Sequence, residues 1–430
     1  MTEMSNPATP GVLGIDFGTS NSAAGIACKG VPRLVRVEGA ETTLPTSVFY
    51  DAECKSVRFG RAANRSLVSR DDGRFMRALK SVLGTSIMHE PRYLNGKRVT
   101  FVDVIAGFLA HLKQSAEDQL QREFTHALSG RPVRFHSNND AKDAQALNDL
   151  TDCYKAAGFA GVDFLTEPEA AARAAGSLAV GELALIVDIG GGTSDFCLFE
   201  AGRDSIEVLA TSGIRVGGTD FDRSLSMDHV MPLLGRGHFI REQMGSGTLP
   251  APNWISHDLA TWEKIPGLYS AKPRELAQSM AGLAVNAEPF RRLDKTLTDE
   301  LGHDIAFAVE RGKIETNLSG QSQITLPFAG PTQGSRLQVG LSAATLDDAL
   351  RRYGREIRAS ALETLKIAGS PTDKLDSIIF VGGSSLMKMV EAAVAPEFAN
   401  ARLHYSDAFT AIVDGLSISA EEMSVTGYRT

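Results

Sequence analysis

The stretch Glu182–Glu200 reads ELALIVDIGGGTSDFCLFE. Leu183–Val187 is an unbroken apolar run, the pattern of a strand buried on both faces, and it ends on a carboxylate at Asp188. Gly190, Gly191, Gly192, Thr193 and Ser194 then turn the chain, and Phe196–Phe199 resumes as a strand. The chain opens with the same construction. In Gly11–Ala27, GVLGIDFGTSNSAAGIA, a strand ends at Asp16, Gly18–Thr19–Ser20–Asn21 form the turn, and an apolar run restarts at Ala23. A third strand, Ile378–Val381, runs straight into Gly382, Gly383 and Ser384, and Leu386–Val394 reads as a helix behind it. Its counterpart in the first half is expected around Arg131–Phe135. One device used twice predicts two similar halves, 1–180 and 181–430.

Outward from these turns the pattern alternates. Phe101–Phe124, Asp140–Ala157, Thr296–Asn317 and Leu346–Ala368 have helical periodicity, and strands precede and follow them. That predicts an α/β architecture with sheets covered by helices. Two insertions stand out, one at about 40–100 and a larger one at about 223–314. Within the second, Arg236–Glu275 holds both tryptophans, Trp254 and Trp262, and reads as irregular or loosely helical. It is the candidate surface for a protein partner.

Composition narrows the class. The 430 residues are 43% hydrophobic and 22% charged with a net charge of −8, which fits two to four globular domains and argues against a nucleic-acid binder. The longest apolar runs are too short to cross a bilayer, so no membrane association is expected. The start, MTEMSNPATP, lacks the features of a signal peptide and reads as a short disordered arm. Four scattered cysteines and no clustered histidines argue against disulfides or structural zinc and for a cytoplasmic location.

The glycine turns carry the chemistry. Backbone N–H groups in such a turn form a nest for an anion, and Thr19, Ser20, Asn21, Thr193 and Ser194 add donors. A carboxylate before each turn would repel a phosphate unless a divalent cation lay between them. Mg²⁺ keeps several of its waters, which makes Asp16 and Asp188 candidates for water-mediated contacts to it. Taken alone, the Asp16 turn fits a plain tight hairpin about as well. The GxGxxG and GxxxxGK[ST] fingerprints are both absent.

GIDFGTSNS at Gly14–Ser22, DIGGGTSDF at Asp188–Phe196, VGGTDFDRSL at Val216–Leu225 and IIFVGGSS at Ile378–Ser385 resemble the nucleotide-binding motifs of the seventy-kilodalton heat-shock (DnaK-type) family. TEPEAAARAAG at Thr166–Gly176 resembles its connecting motif, and the nearest branch is that of the short YegD-like proteins. The resemblance implies an actin-like ATPase fold: two ribonuclease-H-like lobes, each with an inserted subdomain, and ATP in the cleft between them. It implies that Asp16, Gly18, Thr19, Ser20 and Asn21 face the phosphates from one side. Gly190, Gly191, Gly192 and Thr193 would oppose them, with Gly217, Gly218, Gly382, Gly383 and Ser384 completing the nucleotide site. LKSVLG at Leu79–Gly84 resembles the lysine motif, making Lys80 the cation at the γ-phosphate, with Glu167 orienting water or Mg²⁺ and Asp188 beside the attacking water. Outside the family, Lys80 fits a solvated helix lysine and Glu167 an acid at a helix N-terminus.

ERGKIETNLS at Glu310–Ser319 resembles the adenine-site helix, so Glu310 and Lys313 would face the ribose. Ile314 stands where the family has a stacking arginine, which predicts weaker nucleotide affinity, and Leu386 likewise replaces an arginine. The closing motif at Asp407–Ser417 is longer than usual, and Ser129–Phe135 keeps only Pro132 of the family's hinge sequence. With so little sequence after the last nucleotide-lobe element, the resemblance leads to the expectation of a nucleotide-binding domain alone, without the family's peptide-binding domain. The expected protein is a chaperone-like, slowly hydrolysing, Mg²⁺-dependent ATPase that binds ATP and ADP and answers to a protein partner or co-chaperone. The alternatives are a sugar or small-metabolite kinase of the same superfamily, a filament-forming relative, or a nucleotide sensor that does not hydrolyse.

Overall fold

Alternating apolar strands and amphipathic helices pack here as two sheets of matching topology. The computed structural model describes residues 11–136, 139–174, 178–202, 206–242, 244–330, 332, 334–405 and 410–426. The N-terminal arm, Asp407–Phe409 of the closing motif, and Ala175 and Gly176 of the connecting motif lie outside the described residues. By packing, the chain separates into two compact units. The first is Met1–Gly217 with Glu356–Leu386 and Val390–Thr430, and the second is Gly218–Arg355 with Met387–Met389.

In the first unit, one sheet is built from β1 (Gly11–Phe17), β2 (Asn21–Cys28), β3 (Val31–Leu34), β4 (Thr43–Pro45), β5 (Phe124–Arg131) and β6 (Gly161–Thr166). Its order is β6-β5-β1-β2-β3, with β4 also on β2. The other sheet is β7 (Leu183–Ile189), β8 (Ser194–Ala201), β9 (Ile206–Ile214), β10 (Ser377–Val381) and β11 (Arg402–Tyr405), in the order β9-β8-β7-β10-β11. In each sheet the leading strand is antiparallel to the next strand in sequence and parallel to the later one: β1 to β2 and β5, β7 to β8 and β10. The repeat seen in the turns therefore extends to whole sheets.

The counterpart of β10 is β5, which ends at Arg131, where the sequence had pointed to Arg131–Phe135. Pro132 has no N–H for the ladder and stops it. The next N–H, that of Val133, goes instead to the Asp195 carboxylate at 2.9 Å.

Helices α1 (Phe101–Leu120) and α2 (Asp140–Ala156) pack Phe108, Leu109, Leu112, Leu150 and Tyr154 onto Leu13, Ile15 and Phe17 of β1. The first helix stops short of the expected Phe124, with Gln121 in the left-handed region, because Phe124 is drawn into β5. Helix α3 (Glu167–Ala174) sends Ala171 and Ala172 into the core beneath β7 and β8.

In the second unit, α4 (Gly218–Leu225) is followed by a hairpin, Phe239–Arg241 with Thr248–Pro250, and by the helices Trp254–Leu259, Ala271–Leu283 and Ala287–Thr298. Then come α5 (Gly302–Ser319), a second hairpin, and the first half of α6 (Ala343–Ile367). The helix expected over Thr296–Asn317 is thus broken at Asp299–Leu301, where Glu300 is left-handed and the Gly302 N–H bonds to the Tyr269 hydroxyl at 3.1 Å. The two tryptophans also part company. Trp262 packs its ring on His303 and Phe307 at 4.8 and 5.0 Å, whereas Trp254 is 45% exposed.

Helix α7 (Ala411–Thr426) returns to the first unit and joins its cores. Ala411 lies with the residues under the second sheet, while Leu416 and Ala420 pack on Val12 and Leu128 of the first. Among the described residues, no helix is long and apolar enough to cross a membrane. All four cysteines are free thiols.

Candidate functional site

Both hairpins deliver their turns to one place in the first unit. A Cβ on Gly191 would sit 2.4 Å from Ser20 Oγ, and one on Gly217 would sit 2.5 Å from the backbone of Gly191 and Gly192. Thr19, Ser20, Gly191, Gly192 and Gly217 are therefore neighbours. None of Gly190, Gly191 and Gly192 has a positive φ. The turn closes simply, with the Gly190 N–H donating to the Thr193 carbonyl at 3.0 Å. Of the three, Gly191 answers to the close approach of the opposite turn, while Gly190 and Gly192 would meet only ordinary contacts, at 3.7 and 3.8 Å.

Gly382 needs both freedoms. Its φ is +82°, and a Cβ there would meet the Ile189 carbonyl at 2.6 Å and Asp188 Oδ1 at 2.7 Å. The third glycine site thus lies directly against the strand end that carries Asp188. Gly383 and Ser384 open the short 3-10 turn Gly383–Leu386, with Gly383 exposed and Ser384 half-buried.

Beneath the turns lies a charged cluster. Lys80 sits on the 3-10 turn Leu79–Val82, is buried, and forms an ion pair with Glu167 Oε1 at the start of α3. That removes the reading of Lys80 as a solvated helix lysine. Burial opposes its charge, but Glu167 and Asp16 outweigh burial and hold its pKa above the usual value. Asp16 is pushed up to about 7 by burial and by repulsion from Glu167, against the pull of Lys80. Asp188 is raised well above the carboxylate range by burial, then by Glu167, Asp195 and Asp16.

Asp195 is the residue that the motif reading passed over. Burial and Glu167 push it up to about 7, although hydrogen bonds from Val133 N–H and Thr193 work the other way. A signal was present, since Asp195 closes the same DIGGGTSD run and pairs directly across the hairpin with Asp188. Like charges directly opposed on two strands are destabilising, and that makes the pair conspicuous.

Among the described residues, three buried carboxyls and the half-buried Asp16 thus share a single lysine. This surplus of negative charge fits a divalent cation in the site. Among the described residues, no three acidic, histidine or cysteine side chains are placed to ligate one ion directly. Carboxylate oxygens are hard donors of the kind that Mg²⁺ takes directly or through its own waters. Asp16 and Asp188 would hold it.

A cavity of about 40 Å³ opens on Thr19, Lys80, Gly192 and Thr193, and its far wall includes Pro132, His136 and Arg215. His136 donates from Nε2 to the Leu83 carbonyl at 2.8 Å and accepts from Arg215 at Nδ1 at 3.4 Å. Neither residue belongs to the glycine motifs. A sequence signal for Arg215 exists only in its place two residues before Gly217.

Glu310, Lys313 and Ile314 stand on α5 in the second unit, with Gly218 at the start of α4. Lys313 is buried; its ammonium is 2.8 Å from Asp222 Oδ1 and donates to the Gly218 carbonyl at 3.3 Å. Ile314 is 48% exposed and Glu310 half-buried.

Comparison with protein families adds one finding. The family model described as Hsp70 protein matches residues 12–241 and 290–421. Those two stretches contain every residue of the site described above. Residues 242–289, which hold the strand Thr248–Pro250 and both tryptophans, fall between them.

Proposed function

Because the chain belongs to the Hsp70 family, we propose that its ATP-binding, chaperone-type domain is a slow Mg²⁺-dependent ATPase. One observation carries this reading: two phosphate-type turns meet over a buried Lys80–Glu167 pair surrounded by three further carboxyls. The turns supply backbone N–H and hydroxyl donors at Thr19, Ser20 and Gly191–Thr193 for the phosphoryl oxygens. Lys80, held by Glu167, supplies a fixed positive charge at the same place. Asp188 and Thr193 stand on either side of the second turn, where a water can be oriented for in-line attack. Bound through Asp16 and Asp188, Mg²⁺ would neutralise β- and γ-phosphoryl charge. Phosphoryl transfer depends on such positioning and electrostatics more than on covalent chemistry by the protein.

The proposal includes a division into lobes at 1–180 and 181–430, each centred on one of the two sheets, and ADP as the product retained in the site. Ile314, standing in place of an arginine, supports modest nucleotide affinity. A cytoplasmic location and a protein partner reading the nucleotide state complete it. Four free cysteines, two of them exposed, are in keeping with a reducing compartment.

The test pairs single-turnover ATP hydrolysis with a direct measurement of ATP and ADP binding. Hydrolysis that requires Mg²⁺ and proceeds without an added acceptor is expected. Binding with no turnover would replace this reading with that of a nucleotide sensor.

A further inference from the structure

We propose that the second unit carries a binding site, separate from the nucleotide turns, for a small molecule bearing two or more phosphoryl groups. The site is a cavity of about 460 Å³ framed by Arg223, Arg236, Arg351, Arg352 and Arg355. That volume falls in the range of small-molecule sites. The arginines come from separate segments. Arg223 is on α4, Arg236 follows the 3-10 turn Met231–Leu234, and the other three lie on two adjacent turns of α6. His257, from the helix Trp254–Leu259, adds an imidazole to the wall.

The charge balance is lopsided. Among the described residues, the carboxylates on the wall are Asp228 and Asp348, and Asp348 is paired with Arg351 at 2.7 Å. Five guanidiniums therefore face two carboxylates, in a chain whose net charge is −8. On an ordinary solvated helix face, such charges find partners of opposite sign along the helix. Among the described residues, Arg223 and Arg355 have no carboxylate within ion-pair distance.

Two of the arginines are held in place by neutral groups. The Arg352 guanidinium lies 4.3 Å from the centre of the Tyr353 ring and donates to its hydroxyl. Tyr353 is itself buried against Phe221 and donates to the Asp220 carbonyl at 3.1 Å. Arg236 donates to the Met227 carbonyl at 2.8 Å. Neutral acceptors order these side chains without cancelling their charge, so less ordering remains to be done when a ligand arrives.

The cations are all arginine, with no lysine among them. The planar guanidinium fork matches phosphate oxygens two at a time and sheds water more readily than an ammonium. Several such forks around one cavity suit a ligand with many charged oxygens in a small volume. A chain of phosphoryl groups has that character, and a lone carboxylate does not. Ser224 Oγ already ties α4 to the Ala349 carbonyl of α6 at 3.1 Å, so a bound ligand would bridge elements that are already joined.

The probe is tripolyphosphate, titrated calorimetrically into the full chain without Mg²⁺ at about 0.15 M salt, where exposed charges are well screened. Wild type is compared with R223E/R355E and with K80A, which weakens the phosphate turns. We expect saturable binding in wild type and K80A, at least about 100-fold weaker in R223E/R355E, since each lost charged contact is worth about tenfold. Orthophosphate should bind about tenfold more weakly than tripolyphosphate or worse. Equal affinity in R223E/R355E would overturn the proposal. So would loss in K80A of the same size, which would move the binding to the nucleotide turns. Equal affinity for orthophosphate would mean general anion screening only, and absence of saturable binding in wild type would also end the idea. Should the double reversal lower the melting temperature, R223Q/R355Q takes its place and must weaken binding in the same sense.

Discussion

In the first hairpin a single glycine, Gly18, stands in the turn, and a Cβ on it would lie 2.2 Å from the Asn21 carbonyl of the same turn. In the second hairpin three glycines stand in a row, yet Gly190 has room for a Cβ, with Thr193 O its nearest neighbour at 3.7 Å. Gly191 has none, because Ser20 of the first hairpin is in the way. The two turns look alike in sequence but are constrained differently. The first is limited by its own backbone, and the second by the turn opposite. One hairpin thus acts as the template, and the other has been thinned to let it in.

The largest test of this pairing is chemical. Lys80→Ala and Asp188→Asn each remove a group belonging to one half of the cluster, and each should lower single-turnover hydrolysis by on the order of 10²-fold while the fold persists. Unchanged turnover in both variants would separate the cluster from the chemistry. A structural test comes next. Gly191→Ala should cost about 0.5–1.5 kcal/mol, because the Ser20 hydroxyl it meets must be driven from its rotamer. Gly190→Ala should stay within about 0.5 kcal/mol. Thermal melts of the two variants read the difference directly, and equal effects would mean that the turns do not press on each other. The smallest effect belongs to the second unit. Ile314→Arg should tighten ATP binding by about 0.5–2 kcal/mol if the exposed side chain faces the base. An unchanged affinity by calorimetry would remove position 314 from the nucleotide site.

Much of this architecture was legible in the sequence. The apolar runs at Leu183–Val187 and Ile378–Val381 became central strands, because a continuous apolar run has no other stable place than between covered faces. Asp16, Lys80, Glu167 and Asp188 were each named from motifs, and the charge of Glu167 acts on the other three. Other features were not legible. Asp195 was missed because a motif shows which residue precedes a turn, not which one faces it across the hairpin. Arg215 and His136 reach the cavity by way of β-strand ends that lie far apart in the chain. The break at Asp299–Leu301 escaped because apolar spacing continues across it, while the decision to bend is taken by Tyr269 and the tight packing of Gly302.

The separate behaviour of the two tryptophans makes the same point at smaller scale. Local composition treats Trp254 and Trp262 as equals within one irregular segment. Packing gives Trp262 two aromatic neighbours on α5 and leaves Trp254 nearly half exposed. Burial is a property of what comes to lie opposite, and a single segment carries no information on that.

By itself, the sequence determined the repeated strand–turn–strand device, the α/β class and the residue types gathered at the turns. Those follow from local rules: strand periodicity, glycine's missing side chain, and the need for donors around an anion. Only the tertiary structure decided that β1 and β7 head sheets of the same order, that Lys80 pairs with Glu167, and that four carboxyls share one cation. It also gathered five arginines from three separate segments around a single cavity. Such facts depend on distances between residues remote in the chain, and packing sets those distances.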